Sequence, residues 1–131
     1  MTDYDMEILA KTIFGEARGE SQEGQIAVAC CVFNRYKSNK WFSSSTIAGV
    51  CLKPWQFSCW NKNDPNSQKI ANLSYPIYSQ YFPIIKLAQE YDVTNGATHY
   101  YNPYVCKIPK WAKDKTPCAE IGKHLFFRDI D

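Results

Sequence analysis

The stretch that most constrains the fold is the apolar run from Ile26 to Phe33, IAVACCVF. A helix built from such a run is apolar on every face, and helices of that kind are normally buried on all sides. Ser21 precedes the run at a position suited to an N-cap. We therefore predict a central core helix over residues 22–37, around which the other elements pack.

Shorter patterns predict the elements around this helix. Besides the core helix, helices are predicted over residues 3–18, 46–52, 67–73 and 77–90. Ser44 or Ser45 is expected to cap the helix over 46–52, and Pro83 to kink the helix over 77–90. Residues 97–102 and 121–128 carry strand-forming side chains and are predicted to pair as a small antiparallel sheet, with 104–120 as loop. A length of 131 residues suits one domain. We predict an α+β, mostly helical single domain over residues 1–131.

The end of the first helix carries the most interesting acidic residues, Glu16 and Glu20. Glu16 falls within about 60° of Ile13, on the edge of the apolar stripe of this helix. Partial burial there would raise the pKa of the carboxyl and suit it to general acid catalysis. The alternative is a solvated or ion-paired surface residue. Glu20 follows Gly19, which can stop the helix, so Glu20 could lie near the positive end of the next helix.

Composition excludes several classes of function. Lys and Arg number 15 against 13 acidic residues, too weak an excess to predict nucleic-acid binding. The sequence contains no run of 18 apolar residues, so no membrane span is predicted, and no secretory signal is visible at the start, so we expect a cytosolic protein. We also expect a monomer. The six cysteines form no Cys-x-x-Cys pair and the two histidines have no metal-like spacing, so we expect no metal and no cofactor.

The segment from Pro54 to Asn61, PWQFSCWN, has neither helical nor strand periodicity. A run of rings, amides and hydroxyls on a loop is a candidate for ligand contact. The alternative is that Trp55, Phe57 and Trp60 fill the core. The sequence leaves both open.

Three motifs in this order resemble the cell-wall hydrolase family of spore-cortex-lytic, SleB-type enzymes. The first is FGEARGE from Phe14 to Glu20, followed by VFNR from Val32 to Arg35. The second is QFS from Gln56 to Ser58. The third is GATHYYNP from Gly96 to Pro103, followed by Trp111 and GKHLFF from Gly122 to Phe127. The resemblance covers roughly residues 5–128 and implies a lysozyme-like fold.

The resemblance implies cleavage of peptidoglycan glycan strands between N-acetylmuramic acid and N-acetylglucosamine, as in a lytic transglycosylase. Glu16 then matches the family's catalytic glutamate, acting first as general acid and then as general base. A hydrolytic muramidase would need a second carboxylate, for which Glu20, Asp64 or Asp92 are candidates. A non-catalytic wall-binding module is the third alternative.

The other motif residues are predicted to contact the substrate. Gln56 and Ser58 could hydrogen-bond acetamido groups, with Phe57 between them. Tyr100, Tyr101, Asn102, Trp111 and His124 could line the cleft. Because side chains alternate along a strand, Tyr100 and Tyr101 should face opposite ways, and Asn102 should share the face of Tyr100 if the strand persists. His124 could instead be a satisfied surface or core histidine.

The chain shows neither the export signal nor the separate wall-binding region usual in the spore-lytic members of the family. This difference favours a phage or prophage endolysin. We expect such a protein to stay in the host cytoplasm, without stable membrane association, until a holin releases it to the wall.

Overall fold

The computed structural model describes residues 1–131, and helices make up most of its regular structure. The α-helices are α1 (Asp3–Ala17), α2 (Gln22–Ser38), α3 (Ile47–Leu52), α4 (Ser67–Ala71), α5 (Tyr75–Tyr78) and α6 (Phe82–Glu90). Single 3₁₀ turns cover Ser58–Trp60, Ser79–Tyr81 and Lys110–Ala112. The strands are β1 (His99–Tyr101), β2 (Ala119–Ile121) and β3 (His124–Phe127). No helix is both long enough and apolar enough to span a bilayer.

Helix α2 is the central element, which confirms the prediction from its apolar run. All six residues from Ala27 to Val32 are buried, and the helix packs against α1, α3, α6 and β2. Ser21 caps it as expected, since its Oγ accepts a hydrogen bond from the Gly24 amide at 3.2 Å. The helix ends where Asn39 adopts a left-handed conformation with φ of 57°.

Two of the predicted helix details are wrong. Thr46, rather than Ser44 or Ser45, caps α3, because its Oγ1 accepts from the Gly49 amide at 2.9 Å. Pro83 lies in the first turn of α6 and so begins that helix instead of kinking a longer one. A proline lacks the amide hydrogen that the first turn leaves unpaired in any case, so this position tolerates it.

The sheet is antiparallel in the order β1-β3-β2, which confirms the predicted pairing and adds a strand. Tyr100 pairs with Phe126 across β1 and β3, and Ala119 pairs with Phe126 across β2 and β3. The prediction of one strand over 121–128 and of loop over 104–120 is corrected here. Gly122, with φ of +58°, turns the chain between β2 and β3. Residues 119–121 form a strand because they pair with β3, and the sequence of these three residues does not indicate that pairing.

His99 of β1 lies in an aromatic enclosure that keeps it neutral. Its ring centroid is 4.7 Å from that of Phe42 and 5.0 Å from that of Trp111, and its Nδ1 lies 2.8 Å from Thr98 Oγ1. Burial, aided by the charges of Arg35 and Lys40, lowers the pKa of His99 to about 3.

We expect this histidine to make the fold acid-sensitive. Below its ordinary pKa of 6.5 the unfolded chain protonates His99 while the folded protein does not, so stability is lost as pH falls toward 3. Between pH 7.5 and 5.0 the free energy of unfolding should fall by about 2 kcal/mol from this residue. His99→Asn, which keeps a polar atom near Thr98 but does not titrate, should remove that loss in urea titrations at the two pH values. An equal loss in both proteins would contradict the assignment.

Candidate active site

Glu16 lies in the last turn of α1 with its carboxylate held at both oxygens. Oε1 accepts a hydrogen bond from the Tyr100 hydroxyl at 2.6 Å, and Oε2 accepts one from the Cys59 amide at 3.4 Å. The side chain is half-buried, as its place on the edge of the apolar stripe predicted. The contacts join α1 to β1 and to the 3₁₀ turn Ser58–Trp60, so three separate segments fix this group.

Gly15 makes the approach of the 3₁₀ turn possible. A Cβ at this position would lie 2.7 Å from Cys59 Cβ and 2.7 Å from Ile70 Cδ1, distances at which atoms overlap. The residue before Glu16 must therefore be glycine if the Cys59 amide is to reach the carboxylate.

Tyr100 serves as a proton-bearing partner for Glu16. Burial raises the pKa of its hydroxyl well above 10, and the nearby charge of Glu16 raises it further, so the hydroxyl stays protonated and donates. Its ring is held by Phe126 at a centroid distance of 5.4 Å and by His124 at 5.3 Å in an edge-to-face arrangement.

Glu20 and His124 form a second polar pair next to Tyr100. His124 Nδ1 lies 2.8 Å from Glu20 Oε1, and both side chains are largely shielded, at 17% and 25% exposure. Glu20 falls between α1 and α2, outside both helices, as predicted from Gly19. Since the His124 ring also contacts Tyr100, the two glutamates are connected through Tyr100 and His124.

Arg35, the last residue of the VFNR motif, is a residue of the site to which the sequence analysis assigned no role. It is 4% exposed, its Nε donates to the Thr98 carbonyl at 2.6 Å, and its Nη1 donates to Gln56 Oε1 at 3.2 Å. Burial lowers its pKa, and the ring of Phe57 lies 4.6 Å from its guanidinium carbon. Arg35 therefore fixes Gln56 against the sheet; its place in the VFNR motif was the available signal.

The QFS segment splits between core and surface. Phe57 is only 2% exposed and belongs to the main hydrophobic core, so its predicted contact with substrate is corrected to a structural role. Ser58 is exposed at the start of the 3₁₀ turn, and Gln56 is half-buried beside it. Of the two alternatives for this stretch, core filling holds for Phe57, while Gln56 and Ser58 remain available to a ligand.

Tyr101 and Trp111 are not brought to Glu16. Tyr101 stacks on Phe127 at 5.8 Å and meets Trp111 at 6.0 Å, in a separate aromatic cluster. This agrees with the expected alternation, since Tyr100 reaches Glu16 from the other face of the sheet. Asn102 lies beyond the end of β1, where its Oδ1 accepts from the Tyr104 amide at 2.9 Å and shapes a turn. The strand does not persist to it.

The remaining candidates for metal or thiol chemistry are dispersed. All six cysteines are free thiols, and four of them, Cys30, Cys31, Cys51 and Cys59, are buried. Burial raises the pKa of Cys30 to about 11 and that of Cys51 to about 12, so both stay protonated and unreactive. No cluster of three or more metal-ligating side chains is present.

We predict that Tyr100→Phe will slow any reaction in which Glu16 gives or takes a proton by about 10- to 100-fold, the value of a lost hydrogen bond to a charged group. The ring and its packing remain, so the melting temperature should change little. Tyr91→Phe, at an exposed tyrosine, is the matched control and should leave kcat unchanged. If the two variants keep equal rates in that reaction, the hydroxyl of Tyr100 does not position Glu16.

Comparisons with known proteins agree on one family. A model of the Cell Wall Hydrolase family matches residues 19–127. The spore cortex-lytic enzyme of Bacillus subtilis is 30% identical over 125 residues, covering 95% of this chain and 38% of that protein. The spore cortex-lytic enzyme of Halalkalibacterium halodurans is 28% identical over 131 residues, covering 95% and 35%. The chain thus spans less than half the length of these curated relatives.

Two solved structures show the same fold. The catalytic domain of the germination-specific lytic transglycosylase SleB from Bacillus anthracis superposes with a TM-score of 0.77 at 26% identity, covering 98% of this chain and 97% of that one. The catalytic domain of the Bacillus cereus SleB protein gives a TM-score of 0.77 at 26% identity, with 97% and 91% covered. The predicted mostly helical fold class with a small sheet is confirmed, and the chain belongs to the Cell Wall Hydrolase family.

Proposed function

We propose that this protein cleaves peptidoglycan glycan strands between N-acetylmuramic acid and N-acetylglucosamine as a lytic transglycosylase, with Glu16 as the catalytic residue. The observation that carries the proposal is a single half-buried carboxylate held by Tyr100 and the Cys59 amide. The family to which the chain belongs supports the same reaction, as does the likeness of the chain to a catalytic domain described as a lytic transglycosylase.

Glu16 can serve both steps of such a reaction. Protonated Glu16 gives its proton to the glycosidic oxygen as the bond to the anomeric carbon of the muramyl residue breaks. The hydroxymethyl oxygen of the same muramyl residue then bonds to that carbon, and the Glu16 carboxylate takes the hydroxyl proton. We assign the proton transfers to Oε2, because its hydrogen bond is long at 3.4 Å whereas Oε1 is engaged by Tyr100 at 2.6 Å.

A hydrolytic muramidase is the second candidate, with Glu20 as its second carboxylate. A hydrolase uses two carboxylates, and Glu20 is connected to Glu16 through His124 and Tyr100. The other candidates are engaged elsewhere. Asp64 accepts from the Asn66 amide at 2.8 Å, and Asp92 accepts from Thr94, Asn34 and Gly96 in the turn before β1.

Product analysis separates the two reactions. Purified peptidoglycan digested with the protein should yield fragments with anhydro-muramyl ends, which are lighter by one water than reducing ends. Mass spectrometry of the fragments measures this difference directly. Exclusively reducing ends would refute transglycosylation and support the muramidase, whereas binding with no new ends of either kind would support a wall-binding module.

Action as an endolysin stays a prediction from the sequence, as do the monomeric state, cytoplasmic storage and holin-dependent release. Expression in a bacterial cytoplasm tests it. Lysis should require co-expression of a membrane-permeabilising holin, and lysis at the same rate without the holin would contradict this mode of delivery.

A further inference from the structure

A second aromatic site, separate from the contacts of Glu16, is formed by Trp55 and Trp60 of the PWQFSCWN segment, and Trp60 also packs against the main core. It is a cavity of about 360 Å³ lined by seven residues, which include Trp55, Trp60, Asn61, Lys62 and Asn63. That volume is within the range of ~300–1,000 Å³ common for small-molecule sites. No residue of this cavity has a part in the contacts of Glu16 described above.

Trp55 is the most unusual residue of this cavity. Its side chain is 74% exposed, the most of any tryptophan, phenylalanine or isoleucine in the chain. Its backbone φ is +67°, in the left-handed region that a bulky residue rarely adopts. The exposed ring contributes no burial to the fold, the strained backbone costs stability, and such strain is concentrated at functional sites. The free fold has no evident use for this side chain.

Trp60 forms the fixed side of the cavity and connects it to Glu16. Its indole Nε1 donates to Thr12 Oγ1 at 2.9 Å, and Thr12 lies one helical turn before Glu16 on α1. The residue before Trp60 is Cys59, whose amide donates to Glu16 Oε2. The same 3₁₀ turn therefore holds the carboxylate and presents the Trp60 ring, so a chain-like ligand could reach both.

The chemistry of the cavity fits an amino-sugar polymer. Indole faces stack on the apolar faces of flat ligands, including sugar rings. Asn61 and Asn63 carry amides that can both donate to and accept from hydroxyl and acetamido groups, and Lys62 can pair with a carboxylate. Muramyl residues without a peptide stem carry such a carboxylate on their lactyl group. A purely apolar ligand would leave these polar side chains unused.

We propose that the Trp55–Trp60 cavity is a glycan subsite that stacks a sugar ring of the strand on Trp55, outside the bond cleaved at Glu16. This inference rests on the proposed function. It assigns Trp55 to substrate binding and Glu16 to bond cleavage, and the experiment measures binding and cleavage separately.

The test measures binding in the absence of cleavage. The full chain carrying Glu16→Gln is titrated calorimetrically with the tetrasaccharide of two N-acetylglucosamine–N-acetylmuramic acid repeats, with and without Trp55→Gly. We expect about tenfold weaker binding without the ring. Trp41→Ala, at another exposed tryptophan that lines no part of this cavity, is the matched control and should bind as the parent does. Equal affinity with and without Trp55, or no binding by the parent, would overturn the proposal.

Stability supplies an independent readout. Glycine adopts a φ of +67° freely, so Trp55→Gly should melt at the same temperature as the parent or higher. If this variant fails to fold, Trp55→Asn replaces it, since asparagine tolerates the left-handed region. Should Glu16→Gln still lyse walls at the parent rate while Trp55→Gly weakens binding, the catalytic assignment fails and the subsite stands. If instead Glu16→Gln abolishes lysis while Trp55→Gly binds as tightly as the parent, the subsite proposal fails and the catalytic assignment stands.

Discussion

Replacing Glu16 with glutamine is expected to lower kcat on purified peptidoglycan by about 10³-fold. A positioned acid or base contributes about 10²–10⁴-fold, and this carboxyl is assigned both roles. Glutamine keeps the shape of the side chain, and its amide oxygen can still accept from the Tyr100 hydroxyl, so the fold should persist. Release of soluble glycan fragments, measured at saturating substrate, gives kcat directly.

Glu23→Gln is the matched control for this prediction. Glu23 is an exposed glutamate in the first turn of α2, and its replacement removes the same charge from the protein. Its kcat should equal that of the parent. A Glu16→Gln protein that melts normally and still releases fragments at the parent rate would show that Glu16 is not the proton donor, and would direct attention to Glu20.

Replacing Gly15 with alanine should damage both stability and activity. The new Cβ would overlap Cys59 Cβ and Ile70 Cδ1, each 2.7 Å away, and overpacking of this kind costs about 1–3 kcal/mol. Two overlaps at once place the cost near the upper end of that range, at about 3 kcal/mol, and the preference of a helix for alanine over glycine returns ~1 kcal/mol of it. We expect the free energy of unfolding to fall by about 2 kcal/mol in urea titrations.

Activity of Gly15→Ala should fall at least about tenfold, because the Cys59 amide is pushed away from Glu16. Gly19→Ala is the control, since a Cβ there meets nothing within 4 Å. In a double-mutant cycle, Cys59→Gly removes the overlapping Cβ and Sγ, so the combined loss should be smaller than the sum of the single losses. Additive losses would mean that the overlap with Cys59 is not the cause.

Short-range sequence patterns predicted the features that are determined by residues close together in the chain. The apolar run of α2 needs burial whatever surrounds it, so the central helix followed from the sequence alone. The edge position of Glu16 follows from helical geometry, and the opposite facing of Tyr100 and Tyr101 follows from the pleat of a strand. The resemblance of the motifs then indicated a family that the comparisons confirm.

Long-range contacts account for what the sequence patterns missed. Strand β2 exists because β3 supplies its hydrogen bonds, and three residues carry no period that would reveal this. Arg35 looks like a surface residue near a helix end until the sheet and Gln56 close over it. Phe57 and Trp55 lie two residues apart in one aromatic run, yet one is 2% and the other 74% exposed.

The sequence by itself determined the central helix, the mostly helical class, the half-buried position of Glu16 and the family. Each depends on residues within one or two helical turns, or on motifs read in order along the chain. Only the tertiary structure decided which groups hold Glu16. Its partners Tyr100 and Cys59 are 84 and 43 residues away along the chain, and packing of the whole core sets such distances.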